Sequence, residues 1–280
     1  MPTLPLTVVA MLAFAGNSLL CRAALRDGAI DPTSFTTLRL AGGALALWAI
    51  VRWRDGPAAL RGSLGSGVAL FAYAILFSLA YVALSAATGA LLLFGAVQAT
   101  MIGAGLARGE PMRPLQWAGF ACAAGGLLAL LAPGLHAPTP WAAAAMLGAG
   151  IAWGVYSLRV RPGEDPTAAT AGNFARAVPF ALATSAAWLP WASIDATGAA
   201  LALASGALTS GLGYAVWYAA LRGLAPTVAA TVQLSVPAIA AAGGVLLLGE
   251  PPSARLALAS AALLGGIAVV VLARPPTPSR

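Results

Sequence analysis

Long apolar runs alternate with short polar stretches along the whole chain of 280 residues. Because about 20 residues of helix cross the hydrocarbon core of a bilayer, each run predicts one membrane-spanning helix. Helix-breaking and charged residues mark the divisions, as at Asp31-Pro32 and Glu164-Asp165-Pro166. The predicted spans are 5–24, 33–51, 64–83, 87–107, 115–132, 141–159, 168–190, 199–219, 227–248 and 255–273. The pattern therefore predicts an all-α membrane protein with ten transmembrane helices.

The composition agrees with a membrane protein, since 60% of the residues are hydrophobic and only 8% are charged. That leaves too little polar surface for a water-soluble globule. All 15 basic residues are arginines, scattered between the apolar runs, which is not the footprint of a nucleic-acid-binding protein. With the N-terminus inside, ten arginines fall in inner segments and three in outer ones. The positive-inside rule therefore predicts a multi-pass protein of the inner (plasma) membrane with both termini in the cytoplasm.

Several short motifs occur twice and in the same order. Asp31-Pro32-Thr33 recurs as Asp165-Pro166-Thr167, and Gly109-Glu110-Pro111 recurs as Gly249-Glu250-Pro251. Repetition of this kind predicts two homologous halves, 1–135 and 136–280, with five spans each. Because five is odd, the second half enters the membrane upside down relative to the first. Transporters use such inverted repeats to build a binding site near the middle of the bilayer.

Each half closes with a Gly-Glu-Pro turn and then a span with paired glycines, Gly125-Gly126 and Gly265-Gly266. This arrangement resembles the drug/metabolite transporter superfamily, in particular its EamA-type ten-span branch. The resemblance implies export of a small molecule by alternating access around a central cavity. Aromatic residues in spans 3, 6 and 8 make the chain most similar to the bacterial exporters of aromatic amino acids in that branch. One departure is that the proline usual before the turn is present as Pro237 but replaced by Val97 in the first half.

All eight acidic residues lie at predicted span ends. Proton-coupled transporters commonly use carboxylates inside the membrane as relays, so their absence predicts facilitated transport without obligatory proton exchange. The chain also lacks a nucleophile–base pair and a set of metal ligands. His136 stands alone in the link between the halves, and Cys21 and Cys122 are far apart. We therefore expect no enzyme activity, no cofactor and no metal.

Aromatic and polar side chains inside the spans form the candidate substrate site. Tyr73, Phe77 and Tyr81 recur every fourth residue, so they lie on one side of span 3. Ring faces suit a partly apolar substrate, through stacking and through cation–π contact with an ammonium group. The candidate substrate-binding residues are Asn17, Phe77, Ser78, Tyr81, Gln98, Trp153, Tyr156, Tyr214, Trp217 and Tyr218. The alternatives are helix packing or an interfacial belt for the aromatic residues, and hydrogen bonds between helices for the polar ones.

Two arginines, Arg39 and Arg176, lie inside spans 2 and 7, where an unpaired charge is costly. Both are candidates for contact with a substrate carboxylate. The alternative is that each reaches toward the membrane surface or pairs with backbone carbonyls. Pro179 and Pro237 are candidate hinges, with static kinks as the alternative.

These observations predict a transporter that exports amino acids, aromatic ones included, through an aromatic-lined central cavity. The expected partners are a small amphiphilic substrate and the lipid bilayer, with a monomer as the working unit. The first alternative is an exporter of cationic drugs or of another small metabolite with proton coupling. A membrane-embedded enzyme and a scaffold without transport are further alternatives.

Overall fold

A computed structural model of the chain contains ten long helices joined by short turns over the part that it describes, residues 3–56, 61–132, 137–159, 161 and 163–273. His136 lies outside these residues. Helices 1 to 8 are Thr3–Leu25, Pro32–Asp55, Leu64–Tyr81, Ala86–Ala107, Pro114–Leu131, Pro140–Leu158, Pro166–Trp188 and Ala196–Leu221. Helix 9 has two parts, Pro226–Gln233 and Ser235–Leu248, and helix 10 is Ala254–Leu272. Each predicted span corresponds to one helix, with ends that agree within four residues.

Within the described residues, nine of the helices are long and apolar enough to cross a membrane, which confirms the predicted all-α membrane fold. Helix 7 has sufficient length but is less apolar than the others. Its polar residues include Thr170 and Asn173, whose side chains are buried against other helices. The lower apolar content of helix 7 therefore comes in part from residues that face the interior of the bundle.

Helices of the first predicted half pack against helices of the second. Helix 3 packs on helix 6 while helix 8 packs on helix 1, and helix 2 packs on helix 7. Helix 5 crosses helix 10 at two points, where Gly126 meets the backbone of Ala259 and Gly119 meets that of Gly266. Gly119 and Gly126 precede Ala259 and Gly266 by 140 residues, so each contact is the repeat-related counterpart of the other. The division into inverted halves 1–135 and 136–280 stays a prediction.

The repeated Asp-Pro-Thr motifs begin helices 2 and 7. The Asp31 carboxylate accepts hydrogen bonds from the backbone N–H groups of Thr33 and Ser34, both at 3.0 Å. Burial alone raises the pKa of this carboxyl, but hydrogen bonds from Ser34 and Thr33 outweigh burial, so the pKa lies below its usual value. Asp165 caps helix 7 through the backbone N–H of Ala168, at 2.7 Å. Each carboxylate thus satisfies free N–H groups at a helix start.

Two helices in the second half are irregular. The middle of helix 8, Ser205–Leu212, is a π-helix, a form that is rare and often found at functional sites. Helix 9 is interrupted at Leu234, three residues before Pro237, whose missing N–H removes one backbone hydrogen bond. Helix 7 continues without interruption through Pro179. Of the two candidate hinges, Pro237 therefore lies beside a break in its helix and Pro179 does not.

Candidate functional site

A small cavity lies in the middle of the bundle, where side chains of helices 1, 2, 3, 4, 6 and 8 converge. Its volume is about 20 Å³, room for about one water molecule. Five of the candidate residues line it: Asn17, Arg39, Phe77, Trp153 and Tyr214. The other lining residues are Phe14, Ser18, Tyr73, Leu93, Phe94, Thr209 and Ser210. We call this cavity the central pocket.

Aromatic rings form most of the pocket wall. Trp153 stacks on Tyr73, with ring centroids 5.7 Å apart and planes 24° apart, and meets Phe94 edge-on at 5.6 Å. Tyr214, also in the wall, packs edge-on against Phe14, with ring centroids 5.7 Å apart. Flat apolar groups bind well between such rings, because stacked and edge-on geometries are both favourable.

Arg39 is the charged residue of the pocket and is only 2% exposed. Its Nη2 donates to the Tyr73 hydroxyl at 2.9 Å, and its Nε donates to Ser210 Oγ at 3.4 Å. The guanidinium carbon lies 5.1 Å from the Tyr73 ring centroid and 4.9 Å from that of Phe77, which are cation–π distances. Its Nη1 is buried and has no hydrogen-bond partner among the described residues. A buried unpaired donor of this kind is costly unless a ligand satisfies it.

Asn17 joins helix 1 to helices 3 and 8. Its Oδ1 accepts from Ser205 Oγ at 2.7 Å and from Thr209 Oγ1 at 3.4 Å, and its Nδ2 donates to the Tyr73 hydroxyl at 3.3 Å. Both serines and the threonine that reach Asn17 and Arg39 belong to the π-helical part of helix 8. The irregular helix therefore supplies the hydroxyl groups of the pocket.

A hydrogen-bonded layer lies beside the pocket, next to Tyr214. Tyr218, which stacks on Tyr214 at 5.9 Å, shares a 2.8 Å hydrogen bond with Thr170. Tyr156 donates to the same threonine at 3.4 Å and accepts from Asn173 at 3.5 Å. Tyr156, Thr170, Asn173 and Tyr218 line a second cavity of about 30 Å³. Ser63, Arg159 and Glu164 also line it. We call this side of the bundle the Glu164 end.

An ion pair lies at the opposite end of the bundle, which we call the Glu250 end. Arg22 Nε lies 3.3 Å from Glu250 Oε1, and both side chains are mostly buried. The Glu250 carboxylate also accepts from the backbone N–H of Ala86 at 3.0 Å, while Arg22 Nη1 donates to the carbonyls of Tyr81 and Val82 at 3.0 Å. These contacts join the end of helix 1 and the start of helix 4 to the turn before helix 10. A cavity of about 520 Å³ lies next to the ion pair.

The remaining candidate residues lie away from the pocket. Tyr81 is buried between the pocket and the Arg22–Glu250 pair, and its ring packs edge-on against Phe77 at 4.7 Å. Ser78 is fully buried and donates to the Ala74 carbonyl within its own helix. Gln98 is half-buried on helix 4, outside the residues that line the pocket. Trp217 lies behind the wall and contacts Phe14 at 6.0 Å.

The two candidate arginines have different surroundings. Arg176 Nη1 donates to the carbonyls of Arg61 and Gly172, at 2.7 and 2.9 Å. This is the backbone pairing that stood as the alternative for an arginine inside a span. Arg39 alone of the two lines the central pocket.

Several pocket residues were absent from the candidate set. Tyr73 belonged to the aromatic stripe of span 3 and so had a detectable signal, and Ser18 follows directly after Asn17. Thr209 and Ser210 lie in a stretch rich in small residues and in the π-helical part of helix 8, which the sequence pattern did not predict. The spans that contain Phe14, Leu93 and Phe94 are apolar on every side. The sequence therefore did not indicate that these three side chains face the pocket.

Among the described residues, no group of three or more His, Cys, Asp or Glu side chains is placed to hold a metal ion. The pocket therefore offers aromatic faces, hydroxyl groups and one buried guanidinium as its means of recognition.

Residues 140–272 match the EamA-like transporter family. The chain is 56% identical over 273 residues to Uncharacterized protein PA1977 of Pseudomonas aeruginosa, covering 97% of this chain and 95% of that protein. It also resembles a solved structure titled "Crystal structure of protein", with a TM-score of 0.69 and 23% identity over 97% of this chain and 98% of that one. At this identity, the likeness to the solved structure shows the fold.

Proposed function

We propose a substrate class and a mechanism for this chain, which belongs to the EamA-like transporter family of membrane proteins that carry small molecules. The substrate is a small amphiphile with a carboxylate and an apolar part, and amino acids, aromatic ones included, are members of that class. Movement is outward across the inner membrane, by alternating access through the central pocket. The observation that carries this proposal is the buried Arg39 guanidinium, unpaired at Nη1 inside a wall of aromatic rings.

Arg39 is suited to a carboxylate because a guanidinium presents parallel N–H groups that match the two carboxylate oxygens. Its Nη2 already donates to Tyr73, so Nη1 is the group left for the ligand. The rings of Trp153 and Tyr214 then flank the apolar part of the substrate. A cationic drug meets the opposite situation, since the same positive charge repels it and no carboxylate lines the pocket.

The contacts at the two ends of the bundle support the proposal of alternating access. The central pocket is too small for an amino acid in this conformation, so binding requires one end to open. The Arg22–Glu250 pair forms one gate and the layer of Tyr156, Thr170 and Tyr218 forms the other. With both termini in the cytoplasm, the Glu250 end faces outward. Because no acidic side chain lines the pocket, we propose facilitated transport without obligatory proton exchange.

Counterflow into liposomes containing the purified protein tests the proposal. Labelled phenylalanine, tryptophan, threonine and glutamate are offered with and without a pH gradient. We expect saturable exchange of neutral amino acids with a ring, unchanged by the gradient and lost in Arg39→Gln. The matched control is Arg176→Gln, which alters the other intramembrane arginine and leaves the pocket intact. Absence of exchange for every carboxylate, by protein whose thermal unfolding shows that it is folded, refutes the substrate class.

A further inference from the structure

The central pocket contains one charge and nothing to balance it. All eight acidic side chains of the chain lie within the described residues, and none of them lines the pocket. Asp31 and Asp165 cap helices, and Glu250 pairs with Arg22. The pocket is therefore positive when empty, in an interior where charges are weakly screened.

Hydrogen-bond donors outnumber free acceptors in this pocket. The Tyr73 hydroxyl accepts from both Arg39 and Asn17, so its own proton remains to be donated. Arg39 Nη1 adds a second donor close by. The one amide oxygen of the wall, Asn17 Oδ1, already accepts from Ser205 and Thr209. The arrangement suits a ligand that mainly accepts hydrogen bonds.

An α-amino acid satisfies only part of this arrangement. Its carboxylate pairs with Arg39, but its ammonium group, two bonds away, then lies close to the same guanidinium and is repelled by it. Arg39 already lies over one face of Tyr73 and one face of Phe77, so the ammonium competes with the guanidinium for these two rings. The other lining rings are Phe14, Phe94, Trp153 and Tyr214. A hydroxyl or keto group in place of the ammonium removes the repulsion and accepts a hydrogen bond.

We infer that the central pocket selects monoanionic, ring-bearing carboxylates without an ammonium group, such as aromatic 2-hydroxy and 2-oxo acids, over the corresponding amino acids. This inference rests on the proposed function and narrows its substrate class. It has an electrical consequence: each substrate carried alone moves one negative charge. An inside-negative membrane potential therefore drives net export, about tenfold in concentration for every 60 mV.

Three ligands with the same benzyl group separate the alternatives: phenyllactate, phenylalanine and phenethylamine. Transport is measured in proteoliposomes by counterflow and by the current on a sensor-supported membrane, and binding is measured by the rise in unfolding temperature. We expect a half-saturation concentration at least tenfold lower for phenyllactate than for phenylalanine, a current only with phenyllactate, and no response to phenethylamine. Arg39→Gln abolishes the difference, Arg39→Lys keeps the preference for the anion, and Arg176→Gln behaves as wild type.

The outcomes distinguish this inference from the proposed function. Equal or tighter binding of phenylalanine overturns the preference for anions while leaving a carboxylate transporter in place. Binding of neither carboxylate by the folded protein overturns both. Should Arg39→Gln fail to fold, the comparison of ligands on wild type and Arg39→Lys still decides between these outcomes.

Discussion

The Arg22–Glu250 pair provides a test of the gate at the Glu250 end through the substitution Glu250→Gln. The change keeps the shape of the side chain and an oxygen for the Ala86 N–H, but removes the charge that holds Arg22 at 3.3 Å. A hydrogen bond to a charged group contributes about 1.5–3 kcal/mol and a neutral one about 1 kcal/mol. Arg22 keeps its bonds to two carbonyls, so we expect the closed gate to lose about 1–2 kcal/mol in total. Since 1.4 kcal/mol is tenfold in an equilibrium, the open fraction should rise about 5- to 30-fold.

Accessibility of the central pocket measures that open fraction. Ser18 lines the pocket and is 2% exposed, so a cysteine placed there reacts with a water-soluble thiol reagent only when a gate opens. The background carries alanine at Cys21 and Cys122, and the protein is held in nanodiscs. We expect Glu250→Gln to speed labelling of Ser18→Cys by about tenfold, because labelling follows the population of the open state.

The matched control is Glu110→Gln, the same substitution in the repeated Gly-Glu-Pro turn of the first half. Glu110 is exposed and forms no ion pair within the described residues. Its substitution should leave the labelling rate unchanged. Equal labelling of wild type and Glu250→Gln, or equal acceleration by both substitutions, refutes the assignment of the Arg22–Glu250 pair as a gate.

Three further predictions concern packing, pH and substrate choice. In helix 8, a Cβ at Gly206 meets the backbone carbonyl of Arg39, so Gly206→Ala should cost about 1–3 kcal/mol of stability, visible as a lower unfolding temperature. Gly125→Ala, with open space around its Cβ, is the control and should not destabilise the protein. The pKa of Asp31 is lowered by folding, so its carboxylate stabilises the protein above about pH 4, and this contribution is lost as pH falls through the folded pKa. The difference in unfolding temperature between wild type and Asp31→Asn should therefore shrink below that pH, and a constant difference contradicts the cap. Trp153→Ala should weaken binding of ring-bearing carboxylates more than that of aliphatic ones, whereas an equal loss for both removes the stacking role.

Helix number and helix ends could be predicted from the sequence because they depend on local chemistry. Asp31-Pro32 and Asp165-Pro166 begin helices 2 and 7 with a capping carboxylate followed by a residue that lacks an N–H. The same local reasoning missed the π-helix at Ser205–Leu212, where Gly206 lies against the backbone of Arg39 on another helix. The residues of one helix do not show which residues of another helix will contact it.

The side of the helix on which a side chain lies was harder to predict than the depth of that side chain in the membrane. Helix 4 is apolar on every side, so the sequence did not distinguish the half-buried Gln98 from Phe94, which lines the pocket. The sequence indicated Arg39 and Arg176 equally as contacts for a carboxylate, and their hydrogen-bond partners in the structure distinguish them. Arg176 reaches two backbone carbonyls, whereas Arg39 retains an unpaired nitrogen. The pairing of an intramembrane charge, more than its presence, thus indicates which residue faces a ligand.

Differences between the two halves explain why, among the described residues, only one of the two repeated Gly-Glu-Pro turns carries an ion pair. At the repeat offsets, Arg22 corresponds to Ser157, whose hydroxyl donates to the Trp153 carbonyl of its own helix, and Ala86 corresponds to Pro226, which has no N–H. Glu110 consequently lacks both partners that Glu250 has, and its end of the bundle has other contacts, the hydrogen bonds of Thr170 and the Arg54–Asp165 ion pair between helices 2 and 7. In an inverted repeat with identical halves, the state open at the Glu250 end and the state open at the Glu164 end would be equally populated. These two replacements make the halves unequal, so we expect the two open states to differ in population.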